Sequence, residues 1–317
     1  MLSFENSNFS TDGPGGTVSY LVGLVGAGIQ HSLSPRMHEL AADGLGLRYI
    51  YKTLDILKLG ITPEAASDLV RHAPDYGFAG LNITYPVKQS VMSVLTGLDE
   101  HAERIGAVNT IRIVDGKLLG YNTDWSGFRA ACLRELKGVS LDTVVQVGAG
   151  GAGSAVAYAL ASLGVKRLLL SDLEPGRAAQ LAVETARHFP ETEVTAAEVS
   201  EVPALLPGAD GLVNATPVGM EGHDGIPCDI ASLEPRHWVA DVIYRPLRTE
   251  LIEQAARLGC RVMGGSAMVV GQAVDAFRLF TGLSVEPEQM YRYFDQLVAE
   301  EEAARSIGRT PAQAPLS

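Results

Sequence analysis

Residues 144–172 read VVQVGAGGAGSAVAYALASLGVKRLLLSD and carry the clearest structural pattern in the chain. A short β-branched run leads to Gly148, an alanine-rich stretch follows, and a second apolar run ends at Asp172. This order predicts a strand, a tight turn, a helix and a parallel strand, as at the start of a Rossmann-type dinucleotide-binding domain. Residues 144–165 are uncharged and long enough to cross a bilayer, but their five glycines and the change of pattern favour a buried strand and helix.

The glycines in the motif Gly148-x-Gly150-x-x-Gly153 have separate tasks in such a domain. Gly148 permits the tight turn, Gly150 lets the backbone approach a pyrophosphate, and Gly153 lets the new helix pack against its strand. The N-terminus of that helix then faces the phosphates. The alternative interpretation is that the glycines only mark a tight turn between a strand and a helix.

Asp172 indicates which dinucleotide is bound. It lies nineteen residues after Gly153, at the end of the second predicted strand. A carboxylate at this position accepts hydrogen bonds from the adenosine ribose hydroxyls and repels a 2′-phosphate. The sequence therefore predicts NAD rather than NADP as the cofactor. The alternative is that Asp172 is a surface cap.

Length and composition are typical of a cytoplasmic enzyme with two domains. The chain is 46% hydrophobic, enough for a large core. Its 317 residues exceed the length at which a single hydrophobic core usually splits into two domains. Its net charge of −12 disfavours nucleic acid and membrane surfaces as partners. The three cysteines, Cys132, Cys228 and Cys260, are far apart, so we expect neither a disulfide framework nor a metal site. Residues 1–16 do not resemble a signal peptide.

The predicted elements alternate between strands and helices. In the first half, strands are predicted at residues 21–25, 49–54, 81–84, 111–114 and 118–120, and helices at 36–45 and from 89 to 95. Asp115-Gly116 is a strong signal for a two-residue hairpin turn. A second series of strands is predicted near Val144, Arg167, Val194, Gly211, Val239 and Arg261, followed by helices at 269–280 and 287–301.

This order predicts an α/β protein with an N-terminal α/β substrate domain and a Rossmann-type NAD-binding domain. We expect the substrate-binding and catalytic domain at residues 1–125, with a loose tail at 1–19. The NAD-binding domain is expected at residues 126–265. The C-terminal helices, within residues 266–317, are expected to pack back on the substrate domain, with a loose tail after residue 302.

The polar segment His31-Ser32-Leu33-Ser34-Pro35 opens the first predicted helix. Two hydroxyls and the exposed N–H groups of a helix N-terminus would suit a carboxylate. The alternative is a serine N-cap followed by proline at the first helical position, which needs no ligand.

Three further polar segments follow predicted strands. They are residues 82–88 (NITYPVK), 107–110 (AVNT) and 120–124 (GYNTD). Each of them alone is more simply interpreted as backbone capping by Asn, Thr or Asp. Their recurrence at several strand ends needs another explanation.

In this order, these segments resemble the shikimate dehydrogenase family. The resemblance runs over about residues 23–282, through HSLSP, NITYPVK, GAVNT, GYNTDWSGF, VGAGGAG, NATPVGM, DVIYRP and MVVGQAVDAF. Asp172-Leu173-Glu174 stands where NADP-dependent members carry an Asn-Arg-Thr-like segment. The chain is therefore most similar to the bacterial NAD-dependent quinate/shikimate dehydrogenases.

The resemblance implies reversible oxidation of quinate to 3-dehydroquinate, of shikimate to 3-dehydroshikimate, or of both. It makes Lys88 and Asp124 the catalytic pair. The chemistry agrees, because removing a hydride from a secondary alcohol also requires a base for the hydroxyl proton. Desolvation would lower the pKa of the lysine, whereas Asp124 would raise it.

The resemblance also implies a set of ligand-binding residues. Those for the substrate are Ser32, Ser34, Thr84, Asn109, Asp124, Tyr244 and Gln272. Those for the cofactor are Gly148, Gly150, Gly151, Ala152, Gly153, Asp172, Arg177, Thr216, Val242, Gly265 and Met268. Two departures from the family pattern, Glu39 after His38 and Gly271 before Gln272, are expected close to the substrate site.

Three alternatives to an NAD-dependent quinate/shikimate dehydrogenase remain. An NADP-dependent biosynthetic shikimate dehydrogenase is disfavoured by Asp172. A methylenetetrahydrofolate dehydrogenase would need an aromatic platform in place of the double-serine turn. A non-catalytic relative that senses its ligand would be expected to lack Lys88 or Asp124. The expected partner is a small cyclic polyhydroxy carboxylate, and the protein is expected to be a monomer or a homodimer.

Overall fold

The computed structural model describes residues 18–306, which form two compact units. The first unit contains residues 18–96, 110–119 and 273–306, and the second contains 97–109 and 120–272. The second unit includes residues 97–109, 120–125 and 266–272, which the sequence assigned to other domains, so the predicted domain boundaries remain a prediction. Residues 1–17 of the predicted N-terminal tail lie outside the described residues. The tail was predicted to reach residue 19, but Ser19 already begins the first strand.

The first sheet has six strands. In chain order they are β1 (Ser19–Gly26), β2 (Arg48–Asp55), β3 (Gly80–Ile83), β4 (Gly97–Leu98), β5 (Thr110–Val114) and β6 (Lys117–Tyr121), arranged β2-β1-β3-β5-β6-β4. The strands β2 and β3 both pair parallel with β1, and β5 pairs antiparallel with β3. The predicted turn between β5 and β6 is present, with positive φ at Asp115 and Gly116. In this register Gly26 lies opposite Asp55. The loops after β1, β2 and β3 therefore leave the same edge of the sheet.

The second sheet also has six strands. They are β7 (Thr143–Val147), β8 (Arg167–Ser171), β9 (Glu193–Ala197), β10 (Gly211–Asn214), β11 (Trp238–Asp241) and β12 (Arg261–Met263), arranged β12-β11-β10-β7-β8-β9. All the pairings are parallel, and the strands are largely apolar because helices cover such sheets. The strand order reverses between β7 and β10. In open α/β sheets, ligands bind at the carboxyl ends of the strands next to such a point.

Eleven α-helices lie within residues 18–306. They are α1 (Ser34–Gly44), α2 (Ile56–Leu59), α3 (Ala66–His72), α4 (Glu100–Ile105), α5 (Asp124–Glu135), α6 (Gly151–Ser162), α7 (Pro175–His188), α8 (Val202–Leu205), α9 (Glu250–Arg257), α10 (Gly265–Thr281) and α11 (Pro287–Ser306). Over the same residues, no helix combines the length and apolarity needed to cross a membrane. A loose tail immediately after residue 302 was predicted wrongly, because α11 continues to Ser306.

The helix predicted from Gln89 to Leu95 is only a short 3₁₀-helix, Ser90–Val94. The reason is that Leu95 is already extended, and the Thr96 amide donates to the Leu118 carbonyl at 2.8 Å. The chain is thus drawn into contact with β6 before a full α-helix can form. Sequence periodicity carries no information about this tertiary bond.

His38 lies in the core of the first unit, and its exposed fraction is 0%. Its ring packs edge-on against Tyr51 and close to Phe277 and Phe280, and its Nδ1 lies 3.2 Å from the Tyr49 hydroxyl. Burial lowers the pKa of His38 to about 3. The departure from the family pattern is the next residue, Glu39, which is half-buried and accepts the Tyr51 amide at 3.3 Å. Its expected position close to the substrate remains a prediction.

We predict that His38 makes the protein less stable as the pH falls from 6.5 towards 3. In that range the unfolded chain protonates His38 while the folded chain keeps it neutral. When the pH falls from 6.5 to 5, the unfolding free energy of the wild type should decrease by about 1.5 kcal/mol more than that of His38→Gln. Urea unfolding at the two pH values measures this difference. His72→Gln, at an exposed histidine, is the control and should follow the wild type. Equal pH dependence in the wild type and His38→Gln would show that folding does not lower the pKa of His38.

Candidate active site

The glycine-rich turn between β7 and α6 is shaped by close backbone contacts. Gly148 has φ +107°, and a Cβ atom there would lie 2.6 Å from the Ala215 carbonyl. A Cβ atom on Gly153 would lie only 2.2 Å from the Gly148 carbonyl oxygen. Gly150 is different, because a Cβ atom there would meet nothing within 4 Å. Two glycines are thus required by packing, whereas Gly150 borders open space at the start of α6.

Gln146 stabilises this turn from the buried side of the sheet. Sequence analysis did not identify it. Its side chain is fully buried, and its Nε2 donates to the carbonyls of Gly148 and Gly153, both at 2.8 Å. A polar residue inside the apolar strand VVQV was the available signal, because a buried amide must find hydrogen-bond partners. The turn is therefore fixed before any ligand arrives.

Asp172 is bound directly to the same turn. Its Oδ2 accepts the Ala149 amide at 2.7 Å, and its Oδ1 accepts the Glu174 amide at 2.9 Å. The next residue, Leu173, is 84% exposed. Arg177, at the start of α7, pairs with the Glu174 carboxylate at 2.9 Å. Two acids and one base thus stand beside the glycine-rich turn.

Thr216, Val242 and Gly265 meet at the carboxyl ends of the neighbouring strands. A Cβ atom on Gly148 would lie 2.9 Å from the Thr216 Cγ2, so the loop after β10 lies against the glycine-rich turn. A Cβ atom on Gly265 would lie 2.4 Å from the Val242 carbonyl oxygen. Tyr244 follows two residues after Val242 and is half-buried, with the Arg245 guanidinium 5.8 Å from its ring centre.

Asn109 and Asp124 are in direct contact in the second unit. The Asn109 Nδ2 donates to the Asp124 Oδ1 at 3.0 Å, and its Oδ1 accepts the Thr123 amide at 2.6 Å. Asp124 is buried at the first position of α5, where the helix dipole favours a negative charge. Asn122 caps that helix by accepting the Asp124 amide at 3.0 Å. The carboxylate of Asp124 is therefore held in one orientation.

The helices α5 and α10 cross where Gly127 meets Gly271. A Cβ atom on Gly127 would lie 2.6 Å from the Gln272 amide nitrogen, and one on Gly271 would lie 2.9 Å from the Gly127 Cα. The departure at Gly271 therefore allows two helices to approach closely. One of them begins with Asp124, and the other carries Met268 and Gln272.

In the first unit, the double-serine turn precedes α1. The helix begins at Ser34, and its N-cap residue, Leu33, has no side chain that could cap. The Ser32 hydroxyl accepts the Ser34 amide at 3.3 Å, and Ser34 itself is buried. A serine hydroxyl thus accepts an amide at the start of the helix, so the capping alternative remains open beside the predicted carboxylate site.

The turn that carries Thr84 and Lys88 follows β3 and lies beside the loop after β1. The Thr84 amide donates to the Val25 carbonyl at 2.9 Å, and the Ala27 amide donates to the Tyr85 carbonyl at 3.0 Å. Lys88 is half-buried. It belongs to the first unit whereas Asp124 belongs to the second, so the catalytic pair remains a prediction.

Asp55 supports the loop that leads to the double-serine turn and was also missed. Its carboxylate accepts the Gly28 amide at 3.1 Å, the Gln30 Nε2 at 3.0 Å and the Leu57 amide at 3.1 Å. Burial raises the pKa of Asp55, but these hydrogen bonds outweigh it, and the pKa is lowered overall. An acid at a strand end, immediately before a helical turn, was a signal for capping only.

Comparison with known proteins gives one consistent result. Residues 24–111 match the model of the shikimate dehydrogenase substrate binding domain. A shikimate dehydrogenase (NADP(+)) from Pseudarthrobacter chlorophenolicus is 54% identical over 288 residues, covering 91% of this chain and 98% of that protein. The chain belongs to the shikimate dehydrogenase family.

Other members of the family match nearly as much of the chain. A quinate/shikimate dehydrogenase (NAD(+)) from Corynebacterium efficiens is 43% identical over 277 residues, covering 87% of this chain and 98% of that protein. The quinate dehydrogenase from Corynebacterium glutamicum in complex with NAD is 41% identical, with a TM-score of 0.80 over 88% of this chain and 99% of that one. The predicted family and α/β fold are thus confirmed. Among residues 18–306 no group of three or more His, Cys, Asp or Glu side chains could hold a metal ion.

We predict that Gly150→Ala and Gly153→Ala separate ligand binding from packing. Gly150 has φ −79° and open space in front of it, so alanine should change the unfolding free energy by less than about 0.5 kcal/mol. It should weaken the binding of the nicotinamide dinucleotide at least tenfold, because its methyl group occupies the approach of the pyrophosphate. Gly153→Ala should cost about 1–3 kcal/mol in stability through overpacking. Thermal melting and calorimetric titration measure the two effects. Unchanged affinity in Gly150→Ala would place the pyrophosphate elsewhere.

Proposed function

We propose that the protein is an NAD-dependent dehydrogenase that reversibly oxidises a secondary alcohol of shikimate, quinate or both. The observation that carries the proposal is the carboxylate of Asp172 beside the glycine-rich turn, bonded to the Ala149 amide at 2.7 Å. One further acceptor position on each carboxylate oxygen suits the adenosine ribose hydroxyls. The family membership supports the reaction class.

The choice of NAD rests on the charges that follow β8. A 2′-phosphate would enter the field of Asp172 and Glu174, and the cation beside them, Arg177, is paired with Glu174. The second candidate is dependence on NADP, as the name of the Pseudarthrobacter relative states. Arg177 favours this candidate, since it could exchange Glu174 for a phosphate. We favour NAD because the repulsion of a 2′-phosphate by the two acids exceeds the attraction of this one exposed arginine.

In the proposed reaction, Lys88 and Asp124 handle the proton. As a neutral amine, Lys88 takes the hydroxyl proton while the hydride leaves the same carbon, and a carbonyl forms. The nicotinamide, when bound, supplies the hydride acceptor. Asp124, held by Asn109 at 3.0 Å, supplies a fixed negative charge for the resulting ammonium. The reverse reaction returns the same proton to the oxygen.

The substrate is held by polar groups from several strand ends. Ser32 and Ser34 are proposed to bind the carboxylate, because hydroxyl groups at the positive end of the α1 helix dipole suit an anion. The ring hydroxyls are assigned to Thr84, Asn109, Asp124 and Gln272. Tyr244 is proposed to contact the substrate next to the nicotinamide. Gly151, Ala152, Thr216, Val242, Gly265 and Met268 complete the proposed cofactor contacts beside Gly148, Gly150 and Gly153.

The cofactor assignment predicts a preference for NAD over NADP of at least about 100-fold in kcat/KM, or about 3 kcal/mol. Asp172→Asn combined with Leu173→Arg should narrow or reverse this ratio, because it removes the repelling charge and adds a cation at an exposed position. Steady-state rates with shikimate and quinate, each crossed with both cofactors, measure the preference and rank the substrates.

The matched control for added charge is Val183→Arg. Val183 is an exposed apolar residue on α7, so the variant gains a cation without approaching the turn. Its cofactor preference should equal that of the wild type. Comparable kcat/KM values for NAD and NADP in the wild type would contradict the proposed cofactor.

We predict that Lys88→Ala lowers kcat by about 10² to 10⁴ while changing NAD affinity by less than about twofold, because only proton transfer is lost. Lys52→Ala is the control, since Lys52 is an exposed lysine on β2 of the same unit, and it should keep the wild-type kcat. Saturating steady-state rates and a separate titration with NAD test this. More than a tenth of the wild-type kcat in Lys88→Ala would rule out its role as the base.

A further inference from the structure

The carboxylate of Asp241 lies at the end of β11 and has no assigned role in binding or catalysis. Its exposed fraction is 1%. Its Oδ1 accepts the Asn214 Nδ2 at 3.1 Å and the Ile243 amide at 3.0 Å, and its Oδ2 accepts the Thr249 hydroxyl at 2.7 Å. All these residues belong to the second unit. A single buried acid thus joins the ends of two strands and the start of α9.

The first arm of this network reaches Thr216. Asn214 is fully buried, and its Oδ1 accepts both the amide and the hydroxyl of Thr216, at 3.0 and 2.7 Å. The Thr216 Oγ1 in turn accepts the Val218 amide at 3.1 Å. The loop after β10 is therefore held by its own side chains in a shape that Asp241 orients through Asn214.

The second arm reaches the residues that follow β11. The bond from Asp241 to the Ile243 amide fixes the chain between Val242 and Tyr244. The Ile243 carbonyl accepts the Gly265 amide at 3.2 Å, at the start of α10. Val242 and Gly265 stand in the proposed cofactor contacts, so this arm ends at the same ligand as the first.

We propose that Asp241 is a positioning residue that holds the Thr216 loop and the Val242–Tyr244 segment in the geometry that binds the nicotinamide cofactor. The inference rests on the proposed function, since it assumes that these two segments face the dinucleotide. Asp241 itself does not touch the ligand; it acts through Asn214 and through the backbone of Ile243.

The free energy of folding gives independent support. Burial raises the pKa of Asp241 to about 6, although the Ile243 amide, the Thr249 hydroxyl and the Asn214 amide lower it. Because the pKa of the folded state exceeds the ordinary value of 3.8, ionisation of this carboxylate reduces stability as the pH rises from about 4 to about 6, and the loss remains at higher pH. Stability alone therefore does not favour an acid at this position. The need to accept three hydrogen bonds, from Asn214, Ile243 and Thr249, does favour one.

The test compares Asp241→Ala and Asp241→Asn with a control, Asp210→Ala. Asp210 also accepts a backbone amide of this sheet, from Thr143 at 2.8 Å, but it precedes β10 and so lies at the opposite edge. The readouts are thermal melting, the Kd for NAD and NADP by titration below the melting transition, and KM and kcat for shikimate with saturating cofactor.

Asp241→Ala should raise the Kd of the preferred cofactor at least tenfold, with the KM for shikimate within about twofold of the wild type. Asp241→Asn should stay within about threefold in Kd, because an amide oxygen can accept the Asn214 and Ile243 bonds while its NH₂ donates to the Thr249 Oγ1. Asp210→Ala should lower the melting temperature and leave the Kd unchanged. Should Asp241→Ala fail to fold, Asn214→Ala breaks the first arm alone and should show the same selective loss of cofactor affinity.

An unchanged Kd in folded Asp241→Ala, or in Asn214→Ala, would overturn the inference. An equal loss of affinity in Asp210→Ala would also overturn it, because the effect would then follow stability. A wild-type protein that binds neither NAD nor NADP would contradict the proposed function itself, and this is seen before any variant is made.

Discussion

The hydrogen bond from the Ala149 amide to the Asp172 carboxylate is the interaction on which the second unit's site depends. It ties the glycine-rich turn after β7 to the end of β8, while Gln146 holds the same turn from inside. It also fixes a negative charge beside the open space in front of Gly150. The same side chain, Asp172, thus fixes the geometry of the turn and determines the proposed choice between NAD and NADP. Replacing Asp172 to change the cofactor therefore also loosens the turn, and an acceptor such as Asn disturbs it less than Ala.

Buried aspartates support the loops of both units in the same way. Asp55 lies opposite Gly26 in the strand register and holds the loop that leads to Ser32. Asp241 lies opposite Asn214 and holds the loop that carries Thr216. Their pKa values shift in opposite directions, because hydrogen bonds outweigh burial at Asp55 and burial outweighs hydrogen bonds at Asp241. In both cases an acid at the carboxyl end of a parallel strand fixes a loop that carries proposed ligand contacts. The proposed reaction therefore depends on residues that do not touch the substrate.

Local patterns predicted much of the fold. The motif from Gly148 to Gly153 and the turn at Asp115-Gly116 each specify a backbone shape within a few residues, and both are present as expected. The roles of Asp55 and Asp241 could not be predicted, because their partners depend on strand register; Asn214 is 27 residues away from Asp241 in the sequence. The helix expected from Gln89 to Leu95 failed for a similar reason, since a bond from Thr96 to β6 ends it early. The burial of His38 could not be predicted either, because its neighbours come from β2 and α10.

The central claim is that Asp172 selects the cofactor and that Lys88 takes the proton of the substrate hydroxyl. A crystal structure of the complex with NAD and shikimate tests it most directly. The account predicts both adenosine ribose hydroxyls within hydrogen-bond distance of the Asp172 carboxylate, with the Ala149 bond kept, and the Lys88 Nζ within about 3.2 Å of the hydroxyl that is oxidised. An adenosine ribose turned away from Asp172, or a substrate hydroxyl with no contact to Lys88, would contradict it.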